Sequence, residues 1–201
     1  MNAAHGNGMI IIIRHGRTDQ NAAHVLQGRS DYPLNAEGRR QAREAGQKLR
    51  GRGIHYDRVF SSPLKRAVQT AEIIVPGAEI LLDERLIEMG FGPYEGTDLH
   101  NLPPELRAFF SDLVHTPPPK GMERLSSVVE RVGEFLEEIK DLPGNSFLFT
   151  HGIALKGALE YLTPDSEGRW WRKDIGNCAA YGVEIKNGRF ELPQEIITGI
   201  Q

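Results

Sequence analysis

The chain has one cysteine in 201 residues, Cys178, so no internal disulfide can hold it together. A lone thiol fits a reducing compartment. No apolar run approaches the length that crosses a bilayer, so no membrane association is expected. Neither charge is in large excess: 24 Lys and Arg stand against 27 Asp and Glu, a net −3. That balance gives no reason to expect nucleic acid or an anionic surface as partner, and any anion site must be built locally. The residues before Ile10 lack a basic n-region and a separate apolar h-region, so a signal peptide is not expected and a cytoplasmic setting is. Metal-ligand spacing is missing too. No His-Glu-x-x-His occurs, and one cysteine supplies no thiolate set, so no metal and no other cofactor is called for.

What is present reads as globular: 39% apolar and 25% charged residues. The length suits one domain over 1–201, with the small polar residues 1–8 as a loose tail. Met9 and four consecutive isoleucines run into Arg14-His15-Gly16. β-Branched residues favour extended backbone, and an all-apolar run suits a strand covered on both faces. Ligands bind at the carboxyl ends of strands in open α/β sheets, so this strand delivers Arg14 and His15 to a site floor. Asn35 caps a helix running to about Arg50, with Ala42, Ala45 and Leu49 inward. Residues 56–60 form a second strand. Ser62 as N-cap and Pro63 at the first position start the next helix. Its apolar stripe holds Leu64, Ala67, Val68, Ala71, Ile74 and Val75, and Arg66 lies off that stripe. A third strand covers 78–82. Residues 86–96 carry three glycines and a proline around Glu88, a shaped loop. The Pro-rich stretch 97–124, with a short helix over 105–113, reads as a cap over the sheet. A long amphipathic helix follows from Leu125 to Ile139. The strand 146–150 ends at His151-Gly152 and a helix follows over 153–162. Two strand-like segments, 177–186 and 189–197, flank the hairpin signal Asn187-Gly188. Alternating strands and helices give a three-layer α/β/α sandwich around a mostly parallel, mixed sheet.

Two strands thus end in histidine followed by glycine. The helix after His151 offers free N–H groups to an anion. His15, His151, Arg14, Arg66 and Glu88 all fall on one rim. Guanidinium forks bind phosphate oxygens, an imidazole nitrogen attacks phosphorus, and a carboxylic acid protonates a leaving oxygen. Each residue alone has a blander reading: His15 and His151 as hydrogen-bonded strand ends, Arg66 as a solvated surface residue, Glu88 as a turn cap. Cys178 reads as a small buried hydrophobe.

Arg14-His15-Gly16 with Thr18 and Asn21 resembles the signature of the histidine phosphatase superfamily, the phosphoglycerate-mutase-like proteins. Four further segments resemble its later motifs in order: Leu34-Asn-Ala-Glu-Gly38, Ser61-Ser62-Pro63-Leu64-Lys65-Arg66, Leu86-Ile-Glu88 with Tyr94-Glu95-Gly96, and Thr150-His151-Gly152. Gly176-Asn177-Cys178 resembles a late strand of the family. The resemblance implies that His15 is the nucleophile, that Arg14, Arg66 and His151 hold the phosphate oxygens, and that Glu88 donates a proton and then activates water. It places Thr18, Asn21, Gln27 and Gly28 near the substrate, and it implies metal-independent chemistry.

The same motifs serve phosphatases and mutases. Mutases of the family carry a longer insertion between the acid loop and the second histidine, with an adjacent Arg pair. This chain has Arg107, Lys120 and Arg124 there without such a pair, and Arg17 where mutases usually have Glu. The expected function is therefore a metal-independent phosphomonoesterase acting on a small phosphorylated metabolite. A cofactor-dependent phosphoglycerate mutase and a catalytically silent phosphate-binding module are the alternatives. Phe109, Phe110, Leu113 and Met122 are candidates for an apolar lid, with His115, Lys120 and Arg124 for a second anionic group. The tail hairpin offers an edge for a homodimer.

Overall fold

The computed structural model describes residues 8–199. In chain order the elements are β1 (Gly8–Arg14), α1 (Asp19–Ala22), α2 (Ala36–Gly51), β2 (Arg58–Ser61), α3 (Lys65–Ile74), β3 (Ile80–Leu82), α4 (Pro104–Ser111), α5 (Leu125–Ile139), β4 (Ser146–Thr150), α6 (Gly152–Leu162), α7 (Arg169–Arg172), β5 (Ala180–Lys186), β6 (Arg189–Phe190) and β7 (Gln194–Ile197). The strands join in the order β3-β2-β4-β1-β5-β6, with β7 also on β5. The first four are parallel, and β5 runs antiparallel to β1.

The four isoleucines explain the layering. Ile10 and Ile12 pack with Val128, Leu136 and Leu155 of α5 and α6. Ile11 and Ile13 pack with Ala42, Leu49, Ala67 and Ile74 of α2 and α3. Helices thus cover both faces, which is why β1 shows no polar alternation. Each buried isoleucine contributes about 1.5–3 kcal/mol relative to exposure. The sandwich and the mixed sheet are those expected from the sequence.

Register then sets the site. Arg14 on β1 pairs with Thr150 on β4, and Ser61 on β2 pairs with Phe149. The three strands therefore end level, and the next residues are His15, His151 and Ser62. The His15 N–H donates to the Thr150 carbonyl at 2.9 Å and the Ser62 N–H to the Phe149 carbonyl at 2.9 Å. Antiparallel β5 begins at the same edge and brings Asn177 and Cys178 beside His15.

Several boundaries differ from expectation. Gly8 opens β1 instead of closing the tail; residues 1–7 lie outside the described residues. The second and third strands shorten to 58–61 and 80–82. The helix of Arg66 starts at Lys65, not Pro63. Ser62 sits before the N-cap, Leu64, and its Oγ accepts from Leu64 N at 3.3 Å beside its contact with His151; the Asp31 carboxylate accepts from the Lys65 N–H at 2.7 Å. The short helix of the Pro-rich stretch is 104–111. Its Leu106 and Phe109 are fully buried, so this part of 97–124 belongs to the core and is not a free-standing cap. The last segment breaks into β6 and β7 around Pro193, which has no N–H to pair. Asn187 and Gly188 both take positive φ (52° and 71°), as a tight hairpin requires.

One close approach fixes the loop after β1. Asn35 Oδ1 caps α2 by accepting from Gly38 N at 2.8 Å. The backbone of Gly16 and Arg17 lies directly on Gly38, and a Cβ at Gly38 would run into the Arg17 carbonyl oxygen. Gly38→Ala therefore destabilises by about 1–3 kcal/mol through overpacking. Gly51, with open space around it at the end of the same helix, accepts alanine at no cost or gains up to about 1 kcal/mol. Urea unfolding of the two variants checks this; equal effects would contradict the contact.

Candidate active site

His15 is 3% exposed and forms part of the floor of a cavity of about 360 Å³. Its Nδ1 lies 2.7 Å from the Gly16 carbonyl. A carbonyl only accepts, so Nδ1 carries the proton and Nε2 keeps its lone pair. The His15 carbonyl accepts from Asn177 Nδ2 at 3.1 Å and from Cys178 N at 3.3 Å. The late Asn-Cys segment thus anchors the backbone of His15. Cys178 is buried as expected, and burial pushes its thiol up to about 12.

Two guanidinium groups sit beside the ring. Arg14 donates through Nη1 to the Ile175 carbonyl, while its Nε is buried without a hydrogen-bond partner. An orphaned guanidinium N–H at a cavity floor fits an anion. Arg66 is 1% exposed. The blander reading of Arg66 as a solvated residue fails, because its three nitrogens find partners inside: Nη1 on the Ser30 carbonyl at 2.7 Å, Nη2 on the Gly28 carbonyl at 2.6 Å, and Nε on His151 Nδ1 at 3.1 Å. Burial pushes Arg66 down to about 10 and lowers Arg14 as well.

His151 is fully buried, its ring centroid 5.2 Å from that of His15. Because Arg66 Nε donates to Nδ1, Nε2 carries the proton and donates to Ser62 Oγ at 2.7 Å. Both ring nitrogens are occupied, and His151 does not line the cavity. In this arrangement its Nδ1 holds Arg66 Nε and its Nε2 holds Ser62 Oγ. Burial first, then the charges of Arg66 and Arg14, hold both imidazoles well below their ordinary pKa.

Glu88 lies at the start of α6. Its Oε1 accepts from Met89 N at 2.8 Å and from Ile153 and Ala154 N at 3.1 Å each; Oε2 has only Ile153 N at 3.2 Å. The helix N–H groups expected for an anionic ligand are therefore taken by this carboxylate. The sequence gives no sign of that, since the partners lie far apart in the chain.

The other expected residues divide. Asn21, Gln27 and Gly28 line the cavity; Thr18 does not. Thr18 is fully buried and caps α1, donating to Gln27 Oε1 at 2.9 Å, with Asn21 Oδ1 accepting from Thr18 N at 3.2 Å. With both amide oxygens held by Thr18, the amide N–H groups are left to face a ligand. Phe110 lines the cavity, while Phe109 is core and Leu113 and Met122 pack against core. His115, Lys120 and Arg124 line a different groove and do not line the cavity over His15.

Sequence reasoning missed four contributors. Glu95 accepts from Arg29 N at 2.9 Å and Ser30 N at 2.8 Å, holding the turn whose carbonyls grip Arg66. Glu123 accepts from Gly90 N at 2.9 Å and tethers the loop of Glu88. Lys156 and Asp174 stand on the cavity wall. Only Glu95 carried a signal, in the Tyr-Glu-Gly motif. Among the described residues no group of three or more His, Cys, Asp or Glu is placed to hold a metal ion, and no helix is long and apolar enough to cross a membrane.

Against known proteins, the family model described as histidine phosphatase superfamily (branch 1) matches residues 10–195. A protein of Salmonella arizonae named probable phosphoglycerate mutase GpmB is 37% identical over 191 residues, 90% of this chain and 86% of its own length. Among solved structures, a phosphoserine phosphatase mutant from Entamoeba histolytica in complex with phosphoserine aligns with a TM-score of 0.81 at 25% identity, covering 95% of this chain and 98% of that one. TTHB049 from Thermus thermophilus aligns with a TM-score of 0.70 at 32% identity, over 92% and 98%.

The imidazole environment makes stability depend on pH. The unfolded chain binds protons near pH 6.5 that the native His15 and His151 refuse, so stability is full above that pH and declines as pH falls below it. Imidazole NMR resonances of both rings titrate well below 6.5. A midpoint at or above that value for either ring would contradict the burial argument.

Proposed function

The chain belongs to the histidine phosphatase superfamily, and from that premise we propose that it is a metal-independent phosphomonoesterase working through a phosphohistidine on His15. One observation carries the reading: a neutral, buried His15 has Nδ1–H fixed on its own loop, so the Nε2 lone pair is the reactive position, beside the orphaned Nε–H of Arg14.

In this reading the phosphate ester enters with its oxygens on Arg14, Arg66 and the amides of Asn21 and Gln27. The Nε2 lone pair forms the N–P bond as the P–O bond to the leaving group breaks. Glu88 Oε2, the less engaged oxygen, delivers a proton to the departing alkoxide. Water then attacks the phosphohistidine, Glu88 takes its proton, and inorganic phosphate leaves with Nε2 restored. Positive charge fixed in advance where the transferring oxygens sit is the largest contribution expected. Thr18 and His151 act by holding Asn21, Gln27 and Arg66 in place. The lone buried Cys178 suits a cytoplasmic setting for this chemistry.

A second reading has specific support: the Salmonella relative carries a mutase name. The two differ in whether the phosphoryl group returns to a bound acceptor or passes to water. Arg17, and the absence of an adjacent Arg pair between Glu88 and His151, favour water.

With p-nitrophenyl phosphate plus EDTA, hydrolysis is expected to persist, and His15→Ala to abolish it. Loss of turnover on chelation would sink the phosphohistidine mechanism. Interconversion of 2- and 3-phosphoglycerate faster than release of phosphate would replace the phosphatase reading by the mutase. Glu88→Gln is expected to slow alkyl phosphates by about 10²–10⁴-fold and aryl phosphates much less, because good leaving groups need little protonation. Equal losses on both would remove Glu88 from the acid role.

A further inference from the structure

Beyond the phosphoryl-binding floor, the cavity has an unusual wall. Leu26, Phe91, Leu99, Leu102, Phe110 and Ile153 line it. None of these side chains offers a hydrogen bond. The wall is also fixed in place. Leu26 N donates to the Thr97 carbonyl at 2.9 Å, Gly96 N to the Leu26 carbonyl at 2.7 Å, and Leu99 N to the His24 carbonyl at 2.8 Å. These bonds lace the segment after α1 to the start of the Pro-rich stretch. Phe110 is set against Phe91 and Phe109, with ring centroids 6.1 and 5.4 Å apart. Leu99 is 39% exposed although it faces this cavity, an apolar side chain placed where a ligand would cover it.

Among the described residues, the cation on this wall is Lys156. Its Nζ donates to the Trp171 carbonyl at 3.2 Å, and the charges of Arg14, Asp174 and Glu88 act on it. A second anionic group on a substrate would meet those two carboxylates together with the lysine. A polyol would lose water from its hydroxyls against leucine and phenylalanine without replacement. An alkyl or aryl group loses nothing there and removes apolar surface from water on both sides.

We propose that the substrate class is a phosphate monoester with an uncharged, apolar organic part, alkyl or aryl, selected by the wall of Leu99, Leu102 and Phe110. This rests on the phosphatase reading above and goes further by naming what that site selects.

The test compares esters of primary alcohols, so that the leaving groups are alike: hexyl and 2-phenylethyl phosphate against glycerol 1-phosphate and phosphoserine. The expected kcat/KM is at least about tenfold higher for the apolar pair. Leu99→Asn and Phe110→Ala are each expected to shrink that ratio severalfold. Leu99→Asn is the safer variant for folding, since Leu99 is partly exposed. Equal or better turnover of glycerol phosphate or phosphoserine overturns the proposal while leaving the phosphatase reading standing. So does an unchanged ratio in both variants. If no ester is hydrolysed, the phosphatase reading fails, and calorimetric binding of hexylphosphonate against 3-phosphonopropanoate still reads the wall. Tighter hexylphosphonate supports the apolar selection; equal or tighter binding of the carboxylate overturns it.

Discussion

One buried and one half-buried guanidinium group beside two buried imidazoles are the constraint on which the rest of this structure depends. Charge removed from water is costly unless it is paired or hydrogen-bonded, and the carboxylate whose charge reaches both Arg14 and Arg66 is Glu88. The protein meets this in three ways. It keeps both imidazoles neutral, since burial and the two arginines disfavour a further proton. It gives Arg66 two backbone carbonyls and an imidazole nitrogen. It places Glu88 where both arginines feel its charge. The balance left over is positive and includes a buried N–H on Arg14 with no partner. A dianionic phosphoryl group, the ligand proposed above, would complete such a set, and the folded state would then be arranged in advance for it.

That arrangement needs accurate supports, and they come from an outer ring of carboxylates and amides. Glu95 fixes the turn at 28–30, which fixes Arg66, which fixes His151. Asn177 fixes the carbonyl of His15. Glu123 fixes Gly90 and, through the short loop, Glu88. Each link is a hydrogen bond between residues far apart in sequence, so the site is assembled only when the sheet has closed in register. A slip of β4 against β1 would separate His15 from His151 and dissolve the floor.

The sequence made the strand ends legible because two independent patterns agree there: a run of β-branched residues, then His-Gly. The core faces of α2, α3 and α5 were legible from helical spacing alone. The burial of Arg66 was not, since an arginine off an apolar stripe normally points to water; it is buried because a loop much earlier in the chain supplies carbonyls. The same holds for Ser62, whose spacing suits an N-cap but which sits before it and meets His151 through its hydroxyl. Phe109 and Phe110 are adjacent and alike in sequence, yet one is core and the other cavity wall, a matter of helix rotation within α4. The groove of His115, Lys120 and Arg124 lies elsewhere because α4 is sunk into the core and carries the following Pro-rich turn away from His15.

Phosphatase and mutase differ in what happens above the phosphohistidine, and the outcome turns on water. A mutase must hold its intermediate's partner by charge until transfer back is complete. Here the wall above the floor is apolar, and its lysine already has carboxylates for company. Such a wall retains an apolar alcohol only by the modest, non-directional attraction of buried surface. Once the ester bond breaks, the product gains a hydroxyl with no partner on leucine or phenylalanine, which favours its departure. Water can then follow to Glu88, whose Oε2 has a single long contact at 3.2 Å and is the oxygen best placed to take a proton. The features proposed to admit an apolar ester are thus the same ones that fail to keep its alcohol, and in the phosphatase reading the shape of the wall favours hydrolysis as much as the chemistry of the floor does.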